Sequence, residues 1–104
     1  MNKEIPKTTK VVIIGGGVVG CSILYHLSKF GLKDCILLER NELTSGSSWH
    51  AAGNVHVISS DPNISRMMAY TIGLYKEIEK ESGHSVGFKP SGGFYLASND
   101  VWSE

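Results

Sequence analysis

Residues 10–20 read KVVIIGGGVVG, Lys10 to Gly20: a β-branched apolar run that stops on three glycines, with a fourth after two valines. A near-continuous apolar run bounded by glycine predicts a buried parallel strand over Lys10–Ile14. The period then changes. Val19, Ile23, Leu27 and Phe30, with Leu24 beside them, recur every three or four residues and predict an amphipathic helix that Gly31 ends. Leu24 and Leu27 are expected to face the sheet. Cys35-Ile36-Leu37-Leu38-Glu39 reads as a second buried strand. Strand, helix and strand within about 30 residues predict a βαβ unit, so the fold class is α/β.

Gly15, Gly17 and Gly20 fit the spacing G-x-G-x-x-G, in the context that gives this spacing meaning: a strand before it, a helix opening within it, and an acid at the end of the next strand. Each glycine has a physical task. Gly15 allows the tight turn, Gly17 lets a pyrophosphate approach the backbone, and Gly20 lets helix and strand pack closely. The helix start then offers free N–H groups and a partial positive charge to phosphate. Glu39 follows Gly20 by 19 residues, near the ~20 at which an acid binds the adenosine ribose hydroxyls. The fingerprint does not separate FAD from NAD.

Composition narrows the class. Ten basic residues balance ten acidic ones among 104, which gives no electrostatic case for nucleic acid or a membrane surface. No apolar run approaches the ~20 residues of a membrane span. Residues 1–10 form a polar leader with three lysines and no apolar stretch, unlike a secretory signal. Cys21 and Cys35 lack redox or zinc spacing and read as buried, reduced thiols. His50 and His56 have no further ligand cluster, so no metal site is expected. His26, His56 and His84 read as structural or surface groups.

Residues 41–60 show no strong period and read as one long loop, a length usually tied to function. With the βαβ unit they form a segment from 11 to 60. From 61 onward Asp61 caps a helix with Pro62 at its first position. Ile64, Met67, Met68, Thr71, Ile72, Tyr75 and Ile78 form its apolar face, and Gly83 ends it after Ser82. Lys76, Glu77, Glu79, Lys80 and Glu81 read as its solvated side. Val86–Lys89 and Gly93–Ala97 are expected as a hairpin around KPSGG. The chain reads as an N-terminal piece of a longer protein.

The loop carries the sharper signal. SGSSWHAAG, Ser45 to Gly53, together with VVIIGGGVVGCSILYHLSKFG (Val11–Gly31), LLER (Leu37–Arg40) and SGGFYLA (Ser91–Ala97), resembles the dimethylglycine and sarcosine dehydrogenase family. That family lies within the glycine-oxidase and D-amino-acid-oxidase-like group of FAD-dependent amine oxidoreductases. The resemblance runs from about Val11 to Asn99. It implies the N-terminal part of a glutathione-reductase-type FAD domain and the start of an α+β substrate domain.

The resemblance further implies that His50 is joined covalently to the 8α carbon of FAD, a role suited to a nucleophilic neutral imidazole. It implies FAD contacts at Val18, Val19, Glu39 and Arg40, and along Gly46, Ser47, Ser48, Trp49, His50, Ala51, Ala52, Gly53 and Asn54. Trp49 is expected against the cofactor or the sheet. The implied reaction is hydride transfer from an N-methyl carbon of dimethylglycine or sarcosine to the flavin. The iminium product hydrolyses, or passes its carbon to tetrahydrofolate where a folate-binding region follows. Implied acceptors are an electron-transferring flavoprotein or oxygen. Another flavin amine or amino-acid oxidase, a regulatory relative like the pyruvate dehydrogenase phosphatase regulatory subunit, and a plain NAD-binding module are the alternatives. No catalytic acid or base stands out. A cytoplasmic location is expected, or the mitochondrial matrix if a leader has been removed. The 104 residues alone are expected to be inactive and poorly folded.

Overall fold

Four consecutive β-branched residues, Val11 to Ile14, make strand β1 (Val11–Ile14), since branching at Cβ favours extended backbone. In the computed structural model, which describes residues 4–96, β1 lies parallel to β2 (Cys35–Leu38), in register from Val11↔Cys35 to Ile14↔Leu38. The ladder extends by one bond at each end: Val11 N–H to Asp34 O at 3.3 Å and Gly15 N–H to Leu38 O at 2.8 Å. Thr9 Oγ1 adds bonds to the Asp34 carbonyl (3.0 Å) and carboxylate (3.1 Å), so the end of the polar leader is tied to the loop before β2.

Helix α1 (Val18–Lys29) crosses between the strands. Leu24 and Leu27 are packed as expected of sheet-facing positions, whereas the other expected apolar positions are not. Gly20 is buried and Cys21, Leu24 and Leu27 are half-buried, while Val19, Ile23 and Phe30 are exposed. Gly20 sets this phase. A Cβ there would run into the Gly15 carbonyl oxygen and stand 3.4 Å from Ile13 Cγ2, so the helix touches the strand at its glycine and the bulkier Val19 turns outward. Ile13 (7% exposed) is the one buried hydrophobic residue among those described, and Ile14 is 87% exposed. The strands are therefore covered on the α1 face only, not on both.

The chain divides into two compact units, Met1–Ala52 and Gly53–Glu104. In the second unit α2 (Pro62–Ser82) starts as the sequence indicates: Asp61 Oδ1 accepts the N–H groups of Asn63 (2.7 Å) and Ile64 (3.2 Å). Gly83, at φ 71°, closes it with its N–H on Glu79 O.

Among the described residues the expected hairpin is not formed, and its first half is bonded to α2 instead. Val86 N–H donates to Glu79 Oε1 at 2.9 Å, the Phe88 ring lies tilted against Tyr75 with centroids 5.9 Å apart, and Gly87 breaks the extended backbone at φ 74°. Glu79 thus holds this segment rather than standing free on the solvated face. Gly93 to Leu96 form no strand among the described residues. Ala97 lies outside them.

Candidate functional site: a glycine-lined groove at the start of α1

The turn from β1 into α1 is shaped by glycine. Gly15 sits at φ 106°, in backbone space that L residues avoid. Gly17 occupies the N-cap without a capping side chain of its own. The cap comes from elsewhere: Ser48 Oγ accepts the Val18 N–H at 2.9 Å. The N–H groups of Val19 and Gly20 make no hydrogen bond among the described residues. They are the free donors of a helix start, where anions are favoured.

The segment after β2 folds back over this turn. Glu39 Oε2 accepts the Gly16 N–H at 2.7 Å, and Oε1 accepts the Asn41 N–H at 3.0 Å. Thr44 N–H donates to Gly16 O at 2.8 Å. Gly16 is thereby held through both its backbone groups. A Cβ on it would meet Leu43 Cδ2 at 2.6 Å and Glu39 Cβ at 3.1 Å, so the residue between the fingerprint glycines is itself required to be small. The Glu39 carboxyl lies below its ordinary value, first through the Asn41 N–H, then through the Gly16 N–H, with smaller help from Arg40.

These residues enclose a groove of about 490 Å³. Of the residues singled out from sequence, Gly15, Gly17, Val18, Val19, Gly20, Glu39, Arg40, Gly46, Ser47 and Ser48 all line it. Asn41, Thr44 and Ser45 line it too and were not foreseen. The run of three glycines was a signal for Gly16. Nothing in the sequence marked Thr44.

Trp49 and His50 stand on the same series of turns, beyond the groove wall. Their N–H groups bond to Gly46 O and Ser47 O, both at 3.1 Å. His50 Nδ1 lies 2.9 Å from Gly46 O. A carbonyl only accepts, so Nδ1 carries a hydrogen toward it, and in the neutral ring the lone pair is then on Nε2. Trp49 is 78% exposed and does not pack on the sheet. Ala51 and Ala52 are exposed, and Gly53 and Asn54 fall in the second unit.

A strand–glycine turn–helix with an acid after the second strand, and a groove at the helix start, defines a dinucleotide-binding unit. The residues present suit such a ligand: a glycine cradle, free helix-start amides and an ionised acid lie together. Residues 10–104 match the family described as FAD dependent oxidoreductase, and the chain belongs to that family. It is 47% identical over 92 residues to dimethylglycine dehydrogenase, mitochondrial, of Homo sapiens, a match covering 88% of this chain. It is 40% identical over 99 residues, 94% of the chain, to sarcosine dehydrogenase, mitochondrial, of Homo sapiens. It is 38% identical over 93 residues, 89% of the chain, to the mitochondrial pyruvate dehydrogenase phosphatase regulatory subunit of Mus musculus. In each case the match covers 11% of the relative's length.

Proposed function

We propose that the groove holds the adenosine diphosphate end of FAD in an oxidoreductase acting on an N-methylated glycine. The observation that carries this reading is the convergence of the glycine turn, Glu39 and Ser48 on one groove at the α1 N-terminus. Gly15, Gly17 and Gly20 bring backbone close to the pyrophosphate. The free amides of Val19 and Gly20 face its charge, and Val18, its own amide capped by Ser48 Oγ, lines the groove beside them. Glu39, ionised at neutral pH, accepts from ribose hydroxyls, and Arg40 flanks the same end. Gly46, Ser47 and Ser48 close over the phosphates. Trp49, His50, Ala51, Ala52, Gly53 and Asn54 lead toward the flavin.

His50 is the proposed point of covalent attachment. Its Nδ1–H is engaged by the Gly46 carbonyl, which leaves Nε2 as the nucleophilic atom. FAD, when bound, supplies a two-electron acceptor for a C–H bond next to nitrogen. The unit beginning at Gly53 leads into a substrate domain, and tetrahydrofolate and the electron acceptor belong to later sequence. The likeness to dimethylglycine and sarcosine dehydrogenases supports the substrate class. Their mitochondrial names favour a mitochondrial location over the cytoplasmic expectation. No helix among the described residues is long and apolar enough to cross a membrane.

The test is anaerobic titration of the full-length flavoprotein with dimethylglycine and with sarcosine. Bleaching of the flavin absorbance by either supports the reading. The likeness to a phosphatase regulatory subunit favours a second, regulatory reading, for which the flavin is retained but no N-methyl amine bleaches it. Tight NAD binding without flavin contradicts both.

A further inference from the structure

Thr44 is the one non-glycine residue with positive φ among those described, at 64°. This is the left-handed region, which suits a β-branched side chain poorly. The chain does not lack the simpler solution. Six glycines (15, 31, 53, 83, 87 and 92) take positive φ elsewhere, and Gly or Asn at position 44 would make the same turn with less strain. The turn therefore accounts for the backbone angle but not for the threonine.

Two further observations place the residue. Thr44 N–H is fixed to Gly16 O at 2.8 Å, so the residue is held against the glycine turn. Thr44 also lines the groove, together with Glu39 and Ser48. Its hydroxyl has no hydrogen-bond partner among the described residues, so no intramolecular bond explains a threonine here. An observed outlier beside a binding groove is grounds for a functional role.

We propose that Thr44 is a ligand-positioning residue, held in a strained conformation because its side chain contacts the adenosine diphosphate segment of the ligand. Its hydroxyl hydrogen-bonds the polar ribose–phosphate stretch between the groups that Glu39 and the α1 N-terminus bind. The inference rests on the FAD reading above. It adds a specificity-determining side chain that the glycine fingerprint does not contain.

The test separates a positioning role from a structural one, because the two move the readouts differently. In the full-length protein carrying His50→Ala, so that FAD exchanges freely, the Kd for FAD and the melting temperature of the apoprotein are measured for Thr44, Thr44→Gly and Thr44→Ser. Thr44→Gly relieves the backbone and deletes the contact. The expected result is an apoprotein melting at the same temperature or a few degrees higher, with FAD binding weakened about 5- to 10-fold. Thr44→Ser restores most of the affinity. Unchanged FAD affinity in Thr44→Gly overturns the proposal. So does a lowered apoprotein melting temperature alongside the lost affinity, which is the mark of a structural residue. If the His50→Ala parent binds ADP or NAD but not FAD, the FAD reading itself fails and takes this inference with it.

Discussion

Glu39 Oε2 accepts the Gly16 amide at 2.7 Å, so the acid that ends the second strand is bonded to the glycine turn it would share a ligand with. One carboxylate thus does two jobs. It holds the turn in shape through Gly16 and keeps lone pairs free for a ribose hydroxyl. The Asn41 and Gly16 amides favour its ionised form and hold its pKa below the ordinary 4.5.

The sign of the resulting pH dependence follows. A carboxyl whose folded pKa is depressed contributes stability that is fully present above its unfolded value. That contribution is lost as the pH falls through the folded value. The window therefore begins near 4.5 and extends downward. Thermal melts of the full-length apoprotein should show an acid-side loss in this window that Glu39→Gln diminishes. An identical acid limb in wild type and Glu39→Gln would remove Glu39 from the account.

Gly20 and Gly16 should respond differently to a methyl group. At Gly20 the new Cβ meets the Gly15 carbonyl, which is backbone and cannot step aside. Gly20→Ala should cost about 3 kcal/mol by overpacking and abolish ligand binding. At Gly16 the nearest atom is the tip of Leu43 at 2.6 Å, a flexible side chain that is 60% exposed. Gly16→Ala should cost about 1 kcal/mol. Urea melts of the two variants give the comparison.

Much of this was legible from sequence, and the failures have physical causes. The glycine spacing and the change of period located β1, α1 and β2 because backbone sterics and burial act locally there. Gly20, Leu24 and Leu27 were legible as the packed side of α1, but Val19, Ile23 and Phe30, read as part of the same stripe by hydrophobicity, are exposed because the helix meets the strand at its glycine. The hairpin at 86–97 failed because strand propensity does not know about a competing acceptor, here Glu79. Ten of the candidate residues do meet around the groove. Gly16 and Thr44 escaped notice because their roles depend on contacts across 23 and 28 residues, to Glu39 and from Gly16 respectively.

Ser48 reaches across 30 residues to cap a helix it does not belong to. Ser48→Ala should leave the Val18 amide without its acceptor and cost about 1 kcal/mol, as loss of an N-cap does. Ser48→Thr should recover part of this. Denaturant midpoints of the two variants check it.

Helix α2 offers a pair of opposed changes. Asp61→Ala removes both cap bonds and should destabilise the protein by about 1 kcal/mol. Gly73 lies mid-helix with open space where its Cβ would be. Gly73→Ala should stabilise by about 1 kcal/mol through helix propensity. Circular-dichroism melts that moved both variants the same way would contradict this description of α2.

His50, with Nδ1 bonded to Gly46 O, is the proposed point of covalent flavin attachment beside the groove. The most direct measurement is flavin fluorescence on the protein band of a denaturing gel, after acid denaturation, for the full-length protein and its His50→Ala variant. The expected result is fluorescence that stays with the wild-type band and is absent from His50→Ala. Flavin released from both, or retained by both, would contradict the claim that His50 is the point of attachment.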